Sequence, residues 1–187
     1  MIGKAIGNTV LWAGGWKLTG NIPKEDKFII IEAPHTSNWD FFWGFFGILK
    51  TGVRTNFLIK KDWFFFPLGP IMRGLGGVPV DRKNSVSLVE QLIHQFEKRK
   101  KFGLLITPEG TRKPVKRWKH GFLFIAYKTH VPIYLGNIDY NKKELHIGKS
   151  FFPTGNEKED MNFVTRYYKN LNAAPKYPEN FILEDEK

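Results

Sequence analysis

The sequence predicts a single α/β domain, and three observations carry that prediction. Short apolar runs rich in β-branched residues alternate along the chain with segments of helical period. Alternation of this kind builds a layered fold in which helices cover a sheet. After three of the apolar runs stands a polar cluster: His35 to Asp40, Asp81-Arg82, and Pro108 to Arg112. In α/β folds working residues gather at the carboxyl ends of strands, so the clusters point to one shared site.

Taken in order, Phe28 to Ile31 reads as a strand that stops at Ala33-Pro34, where the proline holds Ala33 extended. A helix is expected from about Ser37 to Lys50, and Asn56 to Ile59 reads as the next strand. Trp63 to Pro67 has no clear period. Gly76 to Val80 reads as a turn entering a brief strand. From Ser87 to Lys101, Val89, Leu92, Ile93 and Phe96 follow the spacing of one helical face, and Ser87 with Glu90 suits a capping box. Lys and Arg at its end suit the helix dipole. Leu104 to Thr107 is a strand, Gly121 to Lys128 a helix and Val131 to Asn137 a strand. Asp139 to Lys142 is a turn into a strand near Leu145 to Ile147. Thr154 with Glu157 is expected to cap a last helix reaching about Asn170.

Composition narrows the partners. A chain of 187 residues with 42% apolar content suits one globular domain and argues against global disorder. Lys and Arg number 29 against 18 Asp and Glu, a net charge of +11, which favours polyanions: nucleic acid, anionic lipid headgroups or an acidic carrier protein. With no cysteine, disulfides, thiol nucleophiles and thiolate metal sites are excluded, and a reducing cytosol fits. The runs Val10 to Trp16 and Phe41 to Leu49 fall far below the roughly 20 residues a membrane span needs. Any meeting with a membrane is therefore expected at its surface.

In the first cluster, a five-residue step turns a straight helix by about 140°, so His35 and Asp40 cannot share one helical face. His35 is expected in the loop before the helix, with Asp40 folding back from the first turn to take a hydrogen bond from one ring nitrogen. The other nitrogen is then left as a base, the His-Asp half of a triad. Ser37 and Asp40 equally fit a capping box with His35 an ordinary loop residue, and both arrangements can coexist. No G-x-S-x-G elbow, intact P-loop or dinucleotide fingerprint occurs, and the five histidines show no metal-ligand spacing. A histidine without a protein nucleophile beside it would deprotonate a substrate hydroxyl. In the third cluster, Gly110 and Thr111 in a tight turn can aim N–H groups at an anion, and Arg112 adds a planar bidentate donor. Arg82 follows its own strand in the same way, although either arginine also reads as a solvated surface charge. From Arg112 to His120 five Lys or Arg stand beside His120, which suits a phosphate-rich ligand or a solvated basic face.

These residues resemble the glycerolipid acyltransferase family, typified by 1-acylglycerol-3-phosphate acyltransferases, which carries four ordered blocks. His35 and Asp40 match the first, Gly77-Val78-Pro79-Val80-Asp81-Arg82 the second, Pro108-Glu109-Gly110-Thr111-Arg112 the third to the letter, and Val131-Pro132-Ile133 the fourth. Lys119 and Gly121 match a basic-x-Gly pattern after the third block. The blocks occupy about residues 28 to 137. The resemblance implies one acyltransferase domain over 1–187, with a mixed central sheet flanked by helices. It also implies transfer of an acyl group from acyl-CoA or acyl carrier protein to a lysophospholipid hydroxyl in phospholipid biosynthesis. His35 would be the base and Asp40 its partner, while Arg82, Glu109, Gly110, Thr111, Arg112 and Lys119 would hold substrate. Transfer would be direct, with no acyl-enzyme, metal or cofactor.

Many relatives carry N-terminal membrane helices, and no run here is long enough for one. The expectation is a cytoplasmic protein held peripherally on the inner face of the cell membrane by its basic surface and by aromatics. Trp63 to Pro67 (flanked by Lys60 and Lys61), Phe41 to Leu49 and Val10 to Trp16 are the candidates; filling the core is the other use of such residues. A lyso-aminolipid or another hydroxyl lipid is a rival acceptor, and a catalytically inert lipid-binding module a rival use of the fold. A nucleic-acid partner is not expected, because no RNP-like motif, zinc pattern or basic helix accompanies the charge.

Overall fold

The β-branched run Lys27–Glu32 (β2) is buried along nearly its whole length, and strands buried on both faces pair in parallel between helical layers. The computed structural model describes residues 2–80 and 87–183, the side chain of Trp63 excepted. Among these, Lys17–Gly20 (β1), β2, Thr55–Lys60 (β3), Gly77–Val80 (β4), Phe102–Ile106 (β5), Ile133–Asp139 (β6) and Glu144–Phe151 (β7) form one sheet. Its order is β1-β7-β6-β2-β5-β3-β4. The five strands from β6 to β4 run parallel, and β7 and β1 run against them at one end, so the sheet is mixed as expected. The parallel set puts the ends of β2, β5 and β6 at one edge, where the polar clusters then emerge.

One face packs against Leu88–Lys98 (α4), Gly121–Thr129 (α5) and Glu157–Leu171 (α6). Ile29, Ile31, Leu104, Ile133 and Leu135 meet Leu92, Phe96, Phe122, Ile125, Met161 and Val164 there. The Tyr168 hydroxyl bonds the carbonyls of Ile31 and Gly136 at 3.0 and 2.9 Å, pinning α6 across β2 and β6. The other face is covered by Ile2–Gly14 (α1) and Asn38–Thr51 (α2), through Leu11, Trp43 and Phe46, with Trp16 from the turn after α1, over Ile138 and Leu145.

The expected elements are all present, with corrections at their margins. α4 stops at Lys98, because Arg99 is already extended. The last helix is capped by Asn156, whose side chain accepts from the Glu159 N–H, while Thr154 instead bonds Asp160. Besides the 3₁₀ turns Lys61–Trp63 and Pro178–Asn180, three elements were absent from the expectation: α1, β1 and Leu68–Gly74 (α3). Asp81 and Arg82 lie outside the described residues.

Candidate active site

Local rules place the first cluster. Ser37 is extended and caps α2, and Asp40 at the third helical position reaches back to the Ser37 N–H, completing a capping box. The capping box therefore forms, and it turns Asp40 back toward His35. Asp40 is 1% exposed. Its Oδ2 accepts the N–H groups of Thr36 and Ser37, each at 2.8 Å, and its Oδ1 accepts the Tyr140 hydroxyl at 2.6 Å. His35 sits in the loop before the helix, with Nδ1 3.2 Å from Asp40 Oδ2. The contact is close but poorly aligned, and Nδ1 has no formed hydrogen bond.

The third cluster arrives from β5. Glu109 is buried, and its Oε1 accepts the His35 backbone N–H at 2.9 Å while Oε2 stays unpartnered. Burial pushes its carboxyl up to about 8. Gly110 takes a left-handed φ of 66°, and a Cβ there would meet the Lys119 side chain at 2.9 Å. Arg112 donates to Asn38 Oδ1 at the start of α2, so the first and third clusters touch at two places. Thr111 Oγ1 accepts the Lys113 N–H, closing the loop on itself.

A cavity of about 1220 Å³ lies against this edge. His35, Asn38, Asp40, Gly110, Arg112 and Lys119 line its polar part, and Phe41, Phe45, Phe57, Leu92 and Ile125 are among its apolar walls. Glu109 and Thr111, expected at the substrate, do not line it. Glu109 faces inward because one of its carboxyl oxygens accepts the His35 backbone N–H, and Thr111 is used within its own loop.

Sequence reasoning missed two residues. Glu32, at the end of β2, is buried directly beneath the site, and its carboxyl is raised well above the ordinary range by desolvation and by Asp40 and Glu109. Tyr140 lies 100 positions from the Asp40 it bonds. The apolar run before Glu32 hinted that the strand continued one residue further, while nothing local marked Tyr140.

The aromatic segments divide between core and surface. Leu11 and Trp16 are buried, whereas Trp12, Trp39, Phe41, Phe42, Phe65 and Phe66 are exposed, Phe66 by 87%. Among the described residues no helix is long and apolar enough to cross a membrane.

Comparison with known proteins follows the same lines. The chain resembles the crystal structure of the 1-acyl-sn-glycerophosphate (LPA) acyltransferase PlsC from Thermotoga maritima at a TM-score of 0.65 and 21% identity. That likeness covers 94% of this chain and 80% of that one. It is a likeness of fold. No curated protein matches the chain. A family model described as Acyltransferase matches residues 16–135, more than half of the sequence and every one of its four motif blocks. The chain belongs to the acyltransferase family.

Proposed function

We propose that this acyltransferase moves a fatty acyl group from an acyl thioester to the free hydroxyl of a lysophospholipid, with 1-acylglycerol-3-phosphate as acceptor. The observation that carries the reading is His35 beside Asp40 at the polar end of a large, mainly apolar cavity, with Arg112 and Lys119 on the same rim. The fold shared with a 1-acyl-sn-glycerophosphate acyltransferase supports the acceptor, as does the pairing of basic side chains with apolar walls.

In this mechanism His35 takes the proton from the acceptor hydroxyl as its oxygen attacks the thioester carbonyl. The C–S bond breaks, and the imidazolium returns the proton to the departing thiolate. Asp40, held by three donors, stabilises the imidazolium. General base catalysis of this kind contributes about 10²–10⁴-fold. Arg112 and Lys119 hold the acceptor phosphate, Arg112 being steadied by Asn38. Arg82 is given the same task on the strength of the motif alone. The donor is acyl-CoA or acyl carrier protein, and the basic run from Arg112 to His120 suits either.

Access is from a membrane surface on the cytoplasmic side. Phe41 and Leu75 both line the cavity and stand exposed at 48% and 45%, so the acyl cavity and the aromatic surface share a rim. Lys60 also lines the cavity, and a mixed rim of aromatics and lysine suits an anionic bilayer interface.

The test is incubation with acyl-CoA and a panel of lysolipids, following thiol release and product mass. Acylated lysophosphatidate confirms the reading. Product from a lyso-aminolipid alone replaces the acceptor, and thioester stability with every lysolipid refutes it.

A further inference from the structure

Glu32 is 6% exposed, and its Oε1 has no hydrogen-bond partner. It borders the large cavity on one side and a small cavity of about 40 Å³, beside Gly44 and Gly47 of α2, on the other. Glu32, His35 and Asp40 each bring one nitrogen or oxygen within 4.8 Å of the others. The titratable groups facing it are His35 from its own loop, Asp40 from α2, Glu109 from the loop after β5, Tyr140 after β6, Tyr168 of α6, and His146 of β7 across the small cavity.

Counting lone pairs shows what the site lacks. Each carboxylate oxygen offers two acceptor positions. Asp40 Oδ2 gives both to the N–H groups of Thr36 and Ser37. The His35 Nδ1 at 3.2 Å therefore comes as a third donor, off axis and unbonded. Oδ1 gives one position to Tyr140 and keeps one open. The site is left with a ring donor short of an acceptor and a carboxylate lone pair short of a donor, and Glu32, with one oxygen within 4.8 Å of an atom of each residue, has an oxygen without a partner.

We propose that Glu32 is a positioning residue: as a neutral carboxyl it accepts the His35 Nδ1–H through one oxygen and donates its own O–H to the open lone pair of Asp40 Oδ1. This rests on the base role given to His35. Burial, and then the neighbouring Asp40 and Glu109, favour the acid form. The bridge fixes the tautomer that leaves Nε2 free to act as base.

The experiment compares Glu32→Leu and Glu32→Gln with wild type. Leu removes both halves of the bridge and is expected to lower kcat tenfold or more with KM within about twofold. Gln restores a donor and an acceptor without an ionisable proton. It is expected to recover most of the lost kcat. A Leu variant with wild-type kcat, or a Gln variant as impaired as Leu, overturns the proposal. If Leu does not fold, Gln decides alone: a kcat lowered tenfold, or loss of the His35 Nδ1–H tautomer, overturns it. Nitrogen spectra of labelled histidine give a readout independent of turnover. The His35 Nδ1–H tautomer is expected in wild type and Gln and to be lost in Leu; the same tautomer in all three overturns the bridge. Wild type inert toward every lysolipid, with His35 still answering to Glu32, would sink the acceptor assignment and leave the bridge standing.

Discussion

The backbone N–H of His35 donates to Glu109 Oε1 at 2.9 Å, joining the first motif to the third across 74 positions of sequence. Glu109→Ala removes that acceptor and leaves a half-buried N–H unpaired, a cost of about 1–3 kcal/mol. For a chain of this size that lowers Tm by several degrees, at about 2–4 °C per kcal/mol. A thermal melt is expected to show the drop, with transfer falling alongside because the His35 loop loosens. Glu109→Gln, which keeps the amide oxygen, is expected to fold and to retain more of both.

The same carboxyl makes stability depend on pH. Its pKa is raised in the fold to about 8, so between the ordinary value of 4.5 and 8 the native state holds a proton that the unfolded chain has lost. The contribution is fully present below about 4.5 and disappears as pH rises through 8. Wild-type Tm is expected to decline across that window, and Glu109→Gln to flatten the decline. Parallel curves for the two proteins would contradict the assignment.

Tyr140 gives Asp40 its only side-chain donor among the described contacts. Burial and the Asp40 charge raise the phenol well above its ordinary value, so it remains a donor throughout the working range. A hydrogen bond to a charged group contributes about 1.5–3 kcal/mol. Tyr140→Phe is expected to lower kcat by about tenfold, on the same scale, while the capping box keeps α2 in place. Steady-state kinetics and circular dichroism check the two halves of that statement.

Exposed aromatics set a separate expectation. Phe65 and Phe66 stand 56% and 87% exposed after the 3₁₀ turn Lys61–Trp63. Replacing both with Ser is expected to leave Tm unchanged and to weaken flotation with anionic liposomes several-fold. Equal failure of wild type to bind anionic and neutral liposomes would remove the membrane reading.

Much of this was legible in the sequence because the central strands and α4 obey simple patterns. Phe28 to Ile31 has no polar residue, Leu92 and Phe96 repeat one helical face, and both capping boxes fall where their residue types put them. The missing elements lack such patterns. α1 buries only Gly7 and Leu11, and a Cβ at Gly7 would meet the Lys50 nitrogen at 2.5 Å. That helix packs by removing side chains, so it carries no apolar stripe to read. α3 is short and contains Gly69 and Pro70, and β1 is four residues at a sheet edge. In the site, His35, Asp40 and the Gly110-Arg112 loop could be read locally. Glu32 and Tyr140 could not, because their roles arise only when β2, β6 and α2 are brought together.

The most direct measurement is thioester-to-lysophosphatidate transfer by His35→Ala beside wild type, with a thermal melt of both. Loss of transfer by about 10²-fold or more in a protein that still folds is the expected result, in keeping with the usual scale of general base catalysis. A folded His35→Ala that transfers at the wild-type rate would show that the imidazole is not the base.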